Sequence, residues 1–303
     1  MQKQSVTIGI PAFNEENNIK DLIFSLISYD KSARLIKTII VSSDGSIDST
    51  VSEAKKVSDK RIKVIDNKDR IGIQRGLNQV IKKADTQFLI ILDADIKIKD
   101  PMFVEKIIEP LQKNQSDMTS NPIVPLPSVN LLTRILSLSM SLKEILFRQI
   151  NNGDNIYSCH GPVRAYSSRL YKDLTFKTGA GNDMYSYLDC KNRKFRFKYV
   201  TNTEVYFKLP ISLKDHLKQS VRFYGSMEKQ AELFPGVLVK RSFRISLNDY
   251  LVSIIKSIPL LVRNPVETIG YIFLSMLTFI WSKFKGPASD MWNVSVSSKD
   301  LRK

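Results

Sequence analysis

The first 110 residues alternate short apolar runs with segments of helical period, and this alternation limits the possible folds more than any other feature of the chain. The apolar runs are "VTIGI" (Val6–Ile10), "KTIIVSS", "RIKVID" and "FLIIL". Between the first two lies "NEENNIKDLIFSLISYD", whose Ile19, Leu22, Ile23, Leu26 and Ile27 fall at helical spacing. Asn14 is the expected N-cap there, and Glu15 and Glu16 suit the positive end of the helix dipole. "SIDSTVSEAKKV" predicts a second helix, and "GIQRGLNQVIKKA" a third, with Ile73, Leu77, Val80, Ile81 and Ala84 on one face. A β-α-β-α-β-α-β order requires a mostly parallel sheet with helices on both faces. Ligands of such sheets bind outside the carboxyl ends of the strands.

Four segments fall at those ends. The run "FLIIL" leads straight into Asp93-Ala94-Asp95. Carboxylates are rarely buried without a partner, and two so close repel unless a cation lies between them. Mg2+ or Mn2+ prefers such oxygen ligands shared with substrate phosphates; the plain alternative is a pair of solvated turn aspartates. "SSDGSID" follows the second run: Asp44 can accept from base or ribose groups, Gly45 permits a tight turn, and Ser46 or Asp48 can cap the next helix. "PAFNE" (Pro11–Glu15) is either a turn with a cap or a loop lying against a nucleotide base. "RIGIQRGLN" carries two glycines that weaken a helix unless something approaches closely, and Arg70 and Arg75 face either phosphates or solvent.

Beyond residue 99 the pattern changes. Asp100 and Pro101 suit the cap and first position of the helix "PMFVEKIIEPLQKN", and "SDMTSNP" suits a strand. Leu126 to Phe147 is apolar and helical, Cys159 to Phe207 is mixed, with "TEVYFKLP" as a strand, and "SLKDHLKQSVRFYGSMEKQAELF" is a basic helix. The tail "YLVSIIKSIPLLVRNPVETIGYIFLSMLTFIWSKFKG" is strongly apolar, but its longest uncharged run, Thr268 to Ser282, is shorter than the ~20 residues of a simple spanning helix. Trp281, Lys283 and Lys285 flank it in the manner of an interfacial anchor. Residues 250–285 therefore either meet a membrane surface or form a packed terminal helix pair.

The chain has 303 residues, 43% of them hydrophobic, ample for one large domain or a domain with an appendage. Its net charge of +16 suits nucleic acid, an anionic membrane or a phosphate-rich substrate, or reflects lysine-rich composition alone. Two cysteines exclude a disulfide framework and a four-cysteine zinc site, and two histidines exclude an HExxH protease. The N-terminal apolar segment is too short for a signal peptide, so the catalytic body is expected in the cytoplasm.

Together "IPAFNEE", "SSDGSIDST", "RIGIQRGLN" and "LDADI", in order and in register, resemble the inverting glycosyltransferases of family 2. "CHGPVRAYSSRLYKDL" looks like that family's acceptor-side segment, "GAGNDMYSYL" like the stretch carrying the catalytic base, and "QSVRF" like its Q-x-x-R-W motif with Phe223 in place of Trp. The resemblance implies a GT-A fold: a single Rossmann-like, mixed, mostly parallel sheet flanked by helices. It implies division into a domain of residues 1–234, with the nucleotide-sugar part in about 1–115 and the acceptor part in 116–234. Residues 235–303 then form an apolar, basic helical appendage.

By the same resemblance Pro11, Phe13, Asn14, Glu15, Asp44, Arg75, Asp93 and Ala94 line the nucleotide-sugar site, and Asp95 with Asp93 holds Mn2+ or Mg2+. Asp183 is the implied general base, and His160, Gly161, Asn182, Gln219 and Arg222 face acceptor or pyrophosphate. Asn182 stands where an acidic residue often precedes the base, and Phe223 speaks against processive polymer synthesis. The implied partners are a nucleotide-sugar donor, a UDP-sugar ahead of a GDP-sugar, and a glycan or lipid-linked acceptor at the cytoplasmic face of the cell membrane. No nucleic acid is expected, because the positive charge is spread along the chain rather than clustered among aromatics. Three other classes are weaker: a sugar nucleotidyltransferase lacks its glycine-rich basic signature here, a dinucleotide oxidoreductase lacks G-x-G-x-x-G after the first strand, and a non-catalytic glycan binder has no use for Asp93, Asp95 and Asp183.

Overall fold

The structure is a computed structural model that describes residues 5–28, 30–178, 181–224, 226–284 and 301; at 30–32, 221–224, 226 and 282–284 it describes the backbone alone. The expected alternation comes first: β1 (Val6–Ala12), α1 (Ile19–Ser28), α2 (Asp30–Leu35), β2 (Ile36–Asp44), α3 (Thr50–Lys56), β3 (Ile62–Asn67), α4 (Ile73–Lys83) and β4 (Phe88–Leu92). Next come β5 (Ile96–Lys97), α5 (Phe103–Gln112), β6 (Met118–Ser120), β7 (Ile123–Pro125), α6 (Leu131–Gln149) and, after two short 3-10 turns, β8 (Val163–Ser167). The chain ends in α7 (Ser168–Tyr171), α8 (Asn182–Asn192), β9 (Phe197–Tyr199), β10 (Val205–Phe207), α9 (Leu213–Tyr224), α10 (Ser226–Leu233), α11 (Gly236–Phe243), α12 (Leu247–Arg263) and α13 (Pro265–Phe284).

The main sheet runs β3-β2-β1-β4-β8-β6-β9. β1 to β4 are mutually parallel, β8 is antiparallel to both β4 and β6, and β9 is parallel to β6. A small second sheet, β5-β10-β7, covers one end. β4 is buried along its whole length because helices cover both faces of the sheet, which is why its sequence is a continuous apolar run rather than an alternating one. One face packs Ile8, Ile10, Ile90 and Leu92 against α1 and α5; the other packs Ile40, Leu89 and Ile91 against α4 and α8. Gly9 lets α4 sit directly on β1, since a Cβ there would lie 2.4 Å from Val80 Cγ1.

Two local expectations need correction. Asn14 does not cap a helix: it adopts φ 53, and α1 begins only at Ile19. The intervening turn is closed by Asn18 and Ile19 donating to the Glu15 carbonyl at 3.0 and 2.9 Å. Asp100 and Pro101 precede α5 by a turn, with Met102 in the cap position. Side chains also pack across the expected boundary at 234/235: Phe234 and Val239 are buried in the same cluster as Tyr185 and Leu188 of α8. α11 thus packs with the body, and α12 with α13 is the part that lies on its outside.

Candidate active site

The carboxyl ends of β1, β2 and β4 meet at one edge of the sheet, as the parallel order requires. Strand β4 ends at Leu92, so Asp93-Ala94-Asp95 forms the turn into β5 rather than a strand. Asp93 and Asp95 are half-buried and Ala94 is buried. The turn is tied across the sheet where Asp93 N donates to the Pro162 carbonyl at 3.0 Å.

That bond places Gly161 beside the acidic turn. A Cβ built on Gly161 would sit 3.8 Å from Asp93 Oδ2 and 3.7 Å from Asp183 Oδ2. The two carboxylates therefore converge on the gap that Gly161 leaves open, although they lie 90 positions apart in the chain. Asp183 stands in the first turn of α8. Its Oδ1 accepts from Met184 N at 2.9 Å and its carbonyl accepts from the Cys159 thiol at 3.3 Å. Burial pushes the Cys159 pKa well up, so this thiol stays a donor.

Behind the pair lies a residue that the motifs did not flag. Arg164 on β8 is fully buried, and its Nη1 donates to Asn182 Oδ1 at 2.8 Å. Its Nε and Nη2 have no hydrogen-bond partner among the described residues. Burial alone pulls a guanidinium pKa down, but Tyr166, Cys159, Asp183 and Asp93 more than offset this and raise it. A buried, fixed positive charge thus backs the two carboxylates. The sequence signal was an arginine in the otherwise buried strand "VRAYS".

His160 lies on the acceptor side. Its Nε2 is 3.3 Å from the Tyr199 hydroxyl, which donates in turn to Glu144 Oε2 at 2.8 Å. With the phenol proton committed to Glu144, the imidazole is the donor to Tyr199. Desolvation depresses the His160 pKa to about 4, so the ring is neutral at pH 7.

A second cluster sits at the ends of β1 and β2. Asp44 Oδ1 accepts from Ile71 N and Gly72 N at 2.6 and 2.8 Å, and its Oδ2 is 3.7 Å from Arg70 Nε. The Arg70 guanidinium carbon lies 3.8 Å from the centre of the Phe13 ring. Gly45 must be glycine, since it adopts φ 64 and a Cβ would fall 2.7 Å from Arg70 N. Asn14 bridges to the "SSDGS" loop: its N donates to Ser46 Oγ at 3.2 Å, and its Oδ1 accepts from Ile47 N at 3.0 Å. Glu15 is buried and its N donates to Thr50 Oγ1 at 2.7 Å. These bonds hold Pro11–Glu15, Asp44 and the 70–72 loop as one wall.

Not every expected residue joins these clusters. Arg75 is exposed on the first turn of α4. Gln219 is half-buried on α9, and the Arg222 side chain lies outside the described residues. The nearest described tie from that region is made by α10, where Gln230 Nε2 donates to the Gly181 carbonyl at 3.3 Å.

No group of three or more His, Cys, Asp or Glu forms a ready metal cage among the described residues. Asp93 offers a hard carboxylate oxygen beside the Gly161 gap, and half-buried Asp95 follows two residues later in the same turn. That donor set fits Mn2+ or Mg2+, which takes one or two carboxylates and completes its shell with water and phosphate.

Comparison with known proteins places the fold and the family. A glycosyltransferase of Haemophilus influenzae that carries no assigned activity is 36% identical over 113 residues, covering 36% of this chain and 33% of that protein. The chain thus spans about a third of that relative's length. A mannosyltransferase from Pyrobaculum calidifontis, solved with GDP-Man and Mn2+, shares the fold at TM-score 0.60 with 14% identity, over 93% of this chain and 89% of that one. Glucosyl-3-phosphoglycerate synthase from Mycobacterium tuberculosis, solved with Mn2+, UDP and phosphoglyceric acid, matches at TM-score 0.56 with 16% identity, over 75% of this chain and 78% of that one. The fold is therefore that of the GT-A glycosyltransferases. The model of glycosyl transferase family 2 matches residues 7–175, more than half of the chain, and the protein belongs to that family.

Proposed function

We propose that this glycosyltransferase moves a sugar, with inversion, from a nucleotide sugar to an acceptor hydroxyl. The observation that carries the reading is the convergence of Asp93 and Asp183 on the Gly161 gap. The wall built from Phe13, Asn14, Glu15, Asp44 and the Arg70–Gly72 loop takes the nucleoside, and a UDP-sugar is the preferred donor. Asp95 and Asp93 hold Mn2+ or Mg2+, and the two solved relatives with Mn2+ beside UDP or GDP-Man support that choice. When bound, the cation supplies charge neutralisation for the diphosphate leaving group.

The chain's own residues do the rest. Asp183 accepts the proton of the attacking hydroxyl, which approaches opposite the leaving group; one displacement inverts the anomeric centre. Asn182, held by Arg164, fixes the start of α8 so that the Asp183 carboxylate faces the gap. The neutral His160, its Nε2–H given to Tyr199, keeps Nδ1 as a hydrogen-bond acceptor on the acceptor side. Enzyme and lipid-linked acceptor meet at the cytoplasmic face of the cell membrane.

A panel of UDP- and GDP-sugars with Mn2+, Mg2+ or EDTA tests this. Metal-dependent turnover of one donor is expected, with Asp95→Ala lowering it by about 100-fold or more at unchanged thermal stability, the scale of losing a main electrostatic stabiliser. Asp183→Asn is expected to retain donor binding and lose transfer. Full transfer by Asp183→Asn would favour a second reading, in which a polyprenyl phosphate, already anionic, attacks without a base. No binding or hydrolysis of any nucleotide sugar would leave a non-catalytic glycan binder.

A further inference from the structure

Helices α12 and α13 are packed inside out. α12 turns Ser253 and Ser257 inward, and α13 turns Gly270, Leu274 and Thr278 inward. Outward they present large apolar side chains: Ile255, Val262, Ile269 and Phe273 are 66, 71, 71 and 69% exposed, and Ile258 and Met276 are also exposed. A surface helix of a protein surrounded by water shows the reverse arrangement. So extended an exposed apolar face marks an interaction surface.

We infer that the outward face of this hairpin is a membrane-docking surface, with both helices lying in the plane of an anionic bilayer and neither crossing it. The packing fixes the orientation. α13 is tied to the body at successive turns: Glu267 pairs with Arg134 at 3.0 Å, Gly270 lies against Ile135, and Thr278 Oγ1 is 3.4 Å from His216 Nε2. A Cβ on Gly270 would lie 2.4 Å from Ile135 Cδ1, so the α13 backbone rests directly on α6. α12 follows the same helix, with Lys256 Nζ donating to Gln149 Oε1 at 2.6 Å. Helices clamped lengthwise to a catalytic body cannot enter the hydrocarbon core without tearing that packing.

For α12, length argues the same way. The stretch Gly236–Arg263 is apolar enough for a span by composition. Its helix is interrupted, however, since Arg244 is extended at φ −76, ψ 125 and α12 restarts after Ser246 with 17 residues. Seventeen residues give about 26 Å of helix, under the ~30 Å of a hydrocarbon core.

Charge selects the occupant. Lys240, Arg241, Arg244, Lys256 and Arg263 are exposed along the hairpin and its approach. The hairpin's described acids are already engaged, Asp249 with Ser246 and Glu267 with Arg134. A second copy docked through the same face about a two-fold axis would set these bases against one another. Anionic lipid headgroups neutralise them, while the apolar face enters the interfacial zone.

The test uses the full chain without nucleotide sugar, so its outcome is independent of the transfer reading. Binding is measured to vesicles of phosphatidylcholine and phosphatidylglycerol in equal parts, and to phosphatidylcholine alone. Roughly tenfold or greater preference for the mixed vesicles is expected, weakening in high salt. Ile255→Asp with Phe273→Asp is expected to reduce vesicle binding about tenfold or more while the melting transition is retained. Environment-sensitive labels on Ile258→Cys and Ile269→Cys are expected at the same shallow depth. Three results would overturn the inference: a monodisperse monomer that ignores both vesicle types, a dimer that the paired substitutions dissociate, or labels at different depths with one reaching the bilayer centre.

Discussion

Arg164 shows how much a single buried charge can organise. Its guanidinium is shielded from water, holds Asn182 with one nitrogen, and leaves two nitrogens without partners among the described residues behind Asp93 and Asp183. Removing one member of such a buried charge cluster leaves the others uncompensated and costs on the order of 3–5 kcal/mol, so the informative exchange keeps the charge. Arg164→Lys is therefore expected to fold while losing its hold on Asn182. Its turnover should fall roughly tenfold or more, which is about 1.4 kcal/mol of lost transition-state stabilisation. Steady-state kinetics on the folded protein check this; an unchanged kcat would leave the hold on Asn182 without a part in turnover. Asp183, the proposed base, was legible in the sequence only through its resemblance, whereas Arg164 was hidden because one cation in a five-residue strand carries no periodic signature. Likewise Asn14 looked like a cap, yet its left-handed backbone lets its side chain reach the Ser46 loop, a contact between distant segments that no local rule anticipates.

At the level of elements, strands β1 to β4 were readable because each centres on apolar, β-branched residues beside a helix of clear period. The strands β6 and β10 fall within the expected "SDMTSNP" and "TEVYFKLP", whereas β5, β7 and β9 were not read, since each has two or three residues and takes its pairing from partners far along the chain. The small sheet β5-β10-β7 follows from the same non-local pairing. The tail's helices were readable as helices, but not which face would point outward; Ser253, Ser257 and Gly270 decide that by allowing close approach to α6. The same logic governs α4. Its seat on β1 depends on Gly9, where any side chain collides with Val80. Gly9→Val is expected to cost on the order of 1–3 kcal/mol by overpacking, seen as a lower urea midpoint with an unchanged slope. An unaltered midpoint would mean that α4 shifts freely, and with it the Arg70–Gly72 loop on Asp44.

For the whole molecule, both histidines are set to stay neutral. Desolvation lowers His160 and His216 to about 4 each, and Lys143 adds a smaller push on His216. In the unfolded chain they titrate near 6.5, so between pH 6.5 and 4 the unfolded state binds more protons than the folded one. The stability they contribute is complete above pH 6.5 and is lost as the pH falls toward 4. The loss should be on the order of 1–3 kcal/mol after allowance for residual solvent contact. Urea titrations at pH 7 and pH 5 measure it, and His216→Phe should flatten the slope. Since His216 touches Thr278, acid should loosen the seat of α13 before the sheet fails.

The seam at Gly161 has one more consequence. The segment recognisable as family 2 stops at residue 175, before α8 delivers Asp183 to the gap. Under the proposed mechanism, donor grip and proton removal come from stretches far apart in the chain that meet across one methyl-sized space. A side chain larger than alanine at position 161 would then part the two carboxylates and uncouple proton removal from a donor still held by the β1–β2 wall.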